Sequence, residues 1–324
     1  MTLVRVGRGP TAVRLHVDRE GAGEPLLWIT GFAISSEVFS PVLADYAATF
    51  DCIRYDNRGA GRSPAPWRPT SIPELAGDAV RLLDALGLDS AHVYGLSMGG
   101  MIAQEMALRF PDRVRGLVLG ATSHGGPRAV LPGPRLAAAL ARRSPLTHLP
   151  AAVVGRALFS PAFRREHPDL VRRHVGLLGR HRTSARGALS HLTASTVHDT
   201  RARLGRITAP TLVLHGGLDE LTPVANAHLL AAAIPGAELA VLPAAGHAYL
   251  LEDPEQSLRL LTGWLDAHSP VRPGRPLTGL AARSEAVSRH LGLQVGVLRT
   301  GASLVSLPVS RAPGRGRSPG RRAG

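Results

Sequence analysis

A chain of 324 residues that is 44% hydrophobic can bury a sizeable core, yet no run approaches 18 consecutive apolar residues, which excludes a membrane-spanning helix. One cysteine, Cys52, excludes an internal disulfide framework and suits a reducing cytoplasm, where the protein is expected to reside. The net charge of +14 invites a nucleic-acid partner, but all 38 basic residues are arginine and ten of them, against one acid, fall in residues 271–324, so no specific nucleic-acid partner is expected.

The N-terminal MTLVRVGRGPTAVRL lacks the charged-then-apolar layout of a secretory signal. From residue 11 the pattern alternates between strands and helices. TAVRLHVD alternates like a strand, EPLLWITG is a short apolar run ending in glycine, and FDCIRYD is another run followed by the loop NRGAGRSPAPWRP. SIPELAGDAVRLLDALG opens with a capping Ser-Ile-Pro, spaces its apolar residues helically and stops at Gly87. A strand AHVYGLS, a helix MIAQEMALRFP and a strand VRGLVLGAT follow. Short buried strands separated by helices predict an α/β class, a mostly parallel sheet covered by helices on both faces.

Residues 123–205 break this rhythm. They are rich in Arg, His, Ala and Leu without strand-like alternation, and several short helices are predicted there. The rhythm resumes at APTLVLHGGLD, runs through ANAHLLAAAIPG and AELAVLPAAGH, and closes on PEQSLRLLTGWLDAH. The expected organisation is a core of residues 1–122 and 206–268, an all-helical insertion over 123–205, and a basic tail over 269–324. The tail carries an amphipathic stretch at 277–299, with Leu277, Leu280, Val287, Leu291 and Leu298 on one side, and is otherwise read as partly disordered. Such a tail supports weak contact with an anionic membrane surface.

The stretch YGLSMGG, residues 94–100, places Ser97 at the end of a strand with a helix directly after it. In that context G-x-S-x-G is a nucleophile elbow. The turn strains the serine backbone, so Gly95 and Gly99 must be nearly without side chains, and Gly100 lets the helix pack close. The elbow also aims the backbone N–H of Met98, at a helix N-terminus, where it can hold a developing oxyanion. A serine hydroxyl needs a base to take its proton, and fourteen histidines compete. Chemistry on an open parallel sheet gathers at the carboxyl ends of strands. His92 begins its strand, His124 through His198 fall in the insertion, where basic residues are expected on solvated helix faces, and His215 is expected to pack inside its strand. His247 directly follows the last strand and is chosen as the base. Asp219, closing the preceding strand in LVLHGGLDELTP, is the carboxylate that would steady its imidazolium, while the neighbouring Glu220 faces away. No His/Cys/Asp cluster has metal spacing and no Gly-rich loop has a phosphate context, so neither metal nor cofactor is expected.

The order Ser97, Asp219, His247 on this run of strands resembles the α/β-hydrolase superfamily, in its serine esterase and enol-lactone hydrolase branch. DNRGAGRS at 56–63 looks like the family's D-x-R-G-x-G-x-S loop, and AGHAYLLEDPEQ is similar to its segment around the catalytic histidine; the likeness covers roughly residues 10–268. It implies the α/β-hydrolase fold, a helical lid over 123–205, and Phe32 as a second backbone oxyanion donor beside Met98. Thr30-Gly31 departs from the family's usual His-Gly, and the HGGP at 124–127 follows the nucleophile instead of preceding it, so it is read as a loop. Asp56 and Arg58 are expected to hold their loop and not to touch substrate. The activity implied is hydrolysis of a carboxylic ester or lactone of a small apolar molecule through an acyl-enzyme on Ser97. Three other readings stay open: C–C bond hydrolysis or cofactor-free perhydrolase chemistry on the same triad, a non-catalytic ligand receptor, and a peripheral membrane protein in which the tail is the working part.

Overall fold

The computed structural model describes residues 2–9, 12–141 and 150–268. The tail expected over 269–324, with its amphipathic stretch, lies outside the described residues.

Eight strands form one sheet: β1 (Thr2–Val6), β2 (Val13–Glu20), β3 (Glu24–Ile29), β4 (Phe50–Tyr55), β5 (Ala91–Leu96), β6 (Val114–Gly120), β7 (Thr211–Gly216) and β8 (Glu238–Leu242). Their spatial order is β1-β2-β4-β3-β5-β6-β7-β8. β2 runs antiparallel to β1 and β4, and every pairing from β4 to β8 is parallel. The central strands are apolar on both faces, which a parallel sheet covered twice requires. Along β3, Leu27 and Ile29 face one core with Ile53, Val93 and Leu119. Leu26 and Trp28 face the other with Cys52, Tyr94 and Leu214.

Helices α2 (Ile72–Ala85), α3 (Met98–Arg109) and α9 (Ala225–Ala233) cover the first face, with Leu75, Ile102 and Leu230 buried against it. Helices α1 (Ser40–Ala47), α10 (Tyr249–Glu252) and α11 (Pro254–Ala267) cover the second, through Leu43, Tyr249 and Leu261. Burying each such side chain contributes about 1.5–3 kcal/mol. α2 begins where its sequence predicts, because Ser71 and Glu74 form a reciprocal capping box. Between β6 and β7 the chain leaves the sheet and forms α4 (Pro134–Ala141), α5 (Ala151–Leu158), α6 (Pro161–Glu166), α7 (Pro168–Arg180) and α8 (Ala185–Thr196). Residues 142–149 of this insertion are outside the described ones.

β1, α1 and the short α10 lack a forecast from the sequence. β1 is a five-residue edge strand, TLVRV, on which only Val6 is buried and Leu3 is exposed. α1 is held by the tertiary contact of Tyr46 with Trp28, ring centroids 4.9 Å apart, and not by a strong local signal. Among the described residues no helix is long and apolar enough to cross a membrane.

Candidate active site

Ser97 follows β5 directly and has φ 56° and ψ −120°, a conformation that costs a non-glycine residue about 1–3 kcal/mol. The surroundings over-determine it. Ser97 N–H donates to the Gly120 carbonyl at 2.8 Å, and Gly100 N–H donates to the Ser97 carbonyl at 2.8 Å. The Thr122 hydroxyl donates to that same carbonyl at 2.6 Å. A Cβ on Gly95 would lie 2.3 Å from the Gly99 carbonyl oxygen, and one on Gly99 would lie 2.2 Å from that of Ile29. Only glycine fits either position, which is the physical content of the elbow.

Asp219 and His247 lie on the loops after β7 and β8, at the same sheet edge as Ser97. Gly217 N–H donates to Leu242 and Leu218 N–H to Ala245, both at 2.8 Å, which zips the two loops together. A Cβ on Gly216 would meet the Gly246 carbonyl oxygen at 2.0 Å, so HGG permits that approach. Across the zipped loops His247 Nδ1 donates to Asp219 Oδ2 at 2.7 Å, leaving Nε2 free to accept a proton. The other oxygen, Oδ1, accepts from the N–H groups of Leu221 and Thr222, each at 2.8 Å. Burial pushes the Asp219 carboxyl up, but the attraction of His247 and hydrogen bonds from His215 and His247 outweigh it, and its pKa falls below the ordinary value. Glu220 turns away to Arg156, 3.1 Å distant.

Ser97 and His247 line one cavity of about 140 Å³, together with Gly31, Phe32, Leu221 and residues of α5 and α7. No hydrogen bond joins Ser97 to His247 among the described residues, a contact that catalytic sites often close only around substrate. Met98 opens α3, so its N–H has no intrahelical acceptor. Phe32 lies at the cavity wall after Gly31, and a Cβ on Gly31 would come within 3.3 Å of the Ser97 Cβ. The two expected oxyanion donors therefore flank the serine.

The insertion departs from its sequence reading. His124, His174, His191 and His198 are buried and do not lie on solvated faces. The reason is packing that the sequence does not mark: His174 lies edge-on to Phe159 within the insertion, His198 approaches Glu105 of α3, and His191 reaches sheet loops far away in the chain. His191 of α8 accepts from the Ala33 N–H at Nδ1, 3.2 Å, and donates from Nε2 to the Arg58 carbonyl at 2.8 Å. Thr183 Oγ1 donates to the Ala33 carbonyl at 2.8 Å. Ala33 has φ 53°, a left-handed conformation that alanine rarely adopts, so the residue after Phe32 is held from both sides by the insertion. Burial lowers the His191 pKa, which keeps the ring in the neutral form that can accept at Nδ1. Leu158 of α5 accepts from the Ala248 N–H at 2.8 Å, and Glu252 accepts from the N–H groups of Gly246 and Ser160, so the His247 loop is strapped to the insertion as well.

His215 packs inside β7, as expected. Its Nε2–H donates to the Thr222 carbonyl at 2.7 Å and sits 3.3 Å from Asp219 Oδ2. Two histidines therefore face one carboxylate, and the HG-x-x-D spacing was the available signal for the second. Asp56 and Arg58 behave as expected. Asp56 accepts from Ser36 N–H at 2.6 Å and Arg62 Nε at 2.9 Å, and Arg58 forks onto Asp78 at 2.6 and 2.7 Å. Thr30, in the place of the family's usual histidine, receives the Asn57 side-chain amide on both its oxygens at 3.1 Å. No cluster of metal-ligating side chains occurs among the described residues.

A sheet of this order, with an elbow serine and a His–Asp pair on the loops after its last two strands, defines a hydrolase of the α/β type. The model of the alpha/beta hydrolase fold family matches residues 24–254, and the chain belongs to that family. A protein of Azorhizobium caulinodans named for carbamate hydrolysis is 32% identical over 255 residues, 77% of this chain and 94% of the relative. A 3-oxoadipate enol-lactonase of Acinetobacter baylyi is 31% identical over 230 residues, 71% of this chain and 84% of the relative. Among solved structures, a hydrolase from Pseudomonas aeruginosa superimposes with a TM-score of 0.69 at 32% identity, covering 82% of this chain and 98% of that one.

Proposed function

We propose that the protein hydrolyses carboxylic esters or lactones of small apolar molecules through an acyl-enzyme on Ser97. The observation that carries this reading is the His247–Asp219 bond of 2.7 Å, which leaves Nε2 facing the mostly apolar cavity that also holds Ser97. In the first half-reaction His247 Nε2 takes the hydroxyl proton as Ser97 Oγ bonds to the carbonyl carbon. The N–H groups of Phe32 and Met98 hold the oxyanion, and Asp219 steadies the imidazolium. The tetrahedral adduct collapses, the C–O bond to the alcohol breaks, and the imidazolium gives its proton to the leaving oxygen. Water then attacks the acyl-enzyme, its proton passing through His247, and the acid leaves with Ser97 restored. The insertion serves as a lid: α5 and α7 wall the cavity with Val154, Ala157, Leu158 and Leu178. A cytoplasmic location fits the lone, buried Cys52.

Relatives named for carbamate and enol-lactone chemistry support an acyl-transfer hydrolase of small molecules. The test is a panel of p-nitrophenyl esters of graded acyl length beside a lactone series. Turnover highest on short chains, with Ser97→Ala inactive throughout, is the expected result. Turnover that persists in Ser97→Ala would overturn the reading.

A further inference from the structure

One polar group in the cavity has no part in the chemistry above. Of the described residues that line it, only Ser97, His247 and His174 have polar side chains. His174 comes from α7, on the insertion side, and is 6% exposed. Its Nδ1 is buried without a hydrogen-bond partner, and among the described residues neither ring nitrogen forms a hydrogen bond. The ring is held edge-on to Phe159, centroids 5.5 Å apart and planes at 89°, and Phe159 in turn stacks on Phe163 at 5.4 Å. The orientation of the imidazole is thus fixed by packing, while its hydrogen-bonding capacity is unspent.

Buried polar groups in folded proteins are nearly always paired, and those that are not ask for an explanation. A core role explains this one poorly: a phenylalanine would fill the same edge contact without the desolvation cost. Burial lowers the His174 pKa to about 4, so near neutral pH the ring is uncharged, with one N–H donor and one bare nitrogen acceptor. Such a group matches an uncharged oxygen, a hydroxyl or a ketone. In the cavity that holds Ser97 it does not match an anion, because the other described walls offer no charge to offset the desolvation of one; His174 also lines a second cavity with Glu37, Arg173 and Arg180. A purely alkyl substrate would bury His174 further and leave it unmet.

We propose that His174 is a specificity-determining subsite, and that the preferred substrate is a short apolar ester or lactone carrying one uncharged hydroxyl or keto oxygen away from the bond that is cleaved. The proposal rests on the ester-hydrolase reading for its reaction, but the subsite itself can be read by binding alone.

The test uses the full chain and two series of esters. One varies the acyl part: p-nitrophenyl pentanoate, 3-hydroxypentanoate and 4-oxopentanoate. The other varies the alcohol: butyl and 3-oxobutyl butanoate. Each kcat/KM is divided by the ester's own alkaline hydrolysis rate, so that intrinsic reactivity cancels. At least one oxygen-bearing ester should exceed its plain partner by about tenfold or more. In His174→Phe that ratio should fall to about one, while His174→Gln, which can still donate and accept, should keep part of it. Dissociation constants measured on Ser97→Ala, with and without His174→Phe, should show the same preference and the same loss. No preference for any oxygen-bearing ester, or a preference unchanged in His174→Phe, would overturn the subsite. A His174-dependent preference in binding without turnover of any ester would uphold the subsite and sink the ester-hydrolase reading.

Discussion

The two walls of the cavity are built by different rules. On the sheet side, Ser97, Asp219 and His247 are set by backbone: an elbow at φ 56°, two loops zipped by main-chain bonds, and glycines where a Cβ would collide. The insertion side is tied on by side chains that reach across the fold, such as His191 of α8 onto Ala33 and, from the sheet side, Glu252 of α10 onto Ser160. On the proposed reading the sheet edge supplies the reacting groups, and the insertion hydrogen-bonds to the loops that carry them and walls the cavity.

The comparison breaks most decisively at the serine. Ser97→Ala should cut ester turnover by about four to six orders of magnitude while circular dichroism and melting stay near wild type. A variant that keeps a tenth of the activity would remove Ser97 from the chemistry. His247→Ala should be nearly as damaging, and Asp219→Asn should cost about 10²–10⁴ in kcat. Since the three act as one unit, Ser97→Ala/His247→Ala should be no worse than Ser97→Ala alone, which a sensitive fluorogenic ester can measure.

The insertion side should yield smaller losses of a different kind. His191→Phe removes the acceptor for the Ala33 N–H and frees a strained turn beside Phe32. We expect kcat to fall by about 10–100-fold, the size of one misplaced oxyanion donor, with KM changed little. A boronic acid that mimics the tetrahedral adduct should lose affinity in parallel, and His191→Gln should recover part of both. Equal losses in kcat and in overall stability, with no change in boronate affinity, would mean that His191 is only packing.

How much of this was legible in the sequence follows the same division. The elbow was readable because its constraint is local: Gly95, Ser97 and Gly99 lie within five residues and between a strand and a helix. The Ser71–Glu74 capping box and the strand-end places of Asp219 and His247 are local too. The buried histidines were not readable, because His191 and Ala33 are 158 residues apart and no periodicity marks the contact. In an insertion rich in Arg, His, Ala and Leu, nothing in the sequence separates a histidine on a solvated helix face from one that is buried. β1 is hard to read because it is only five residues long and its out-of-phase apolar residue, Leu3, is exposed, which blurs the alternation of Val4 and Val6.

The smallest effect is expected from residues 269–324. Every residue assigned to the chemistry precedes residue 269, so truncation after His268 should leave kcat on a soluble ester within about twofold. Flotation with anionic vesicles, with and without residues 269–324, would show whether the ten tail arginines confer surface binding. A truncated chain that folds but turns over more than tenfold slower would make the tail part of the cavity.

The central claim is that an activated serine sits in that cavity, and a fluorophosphonate probe followed by peptide mass spectrometry tests it most directly. The account predicts one adduct, on Ser97, that forms far more slowly in His247→Ala. Labelling at another residue, or labelling of Ser97 at the same rate without His247, would contradict it.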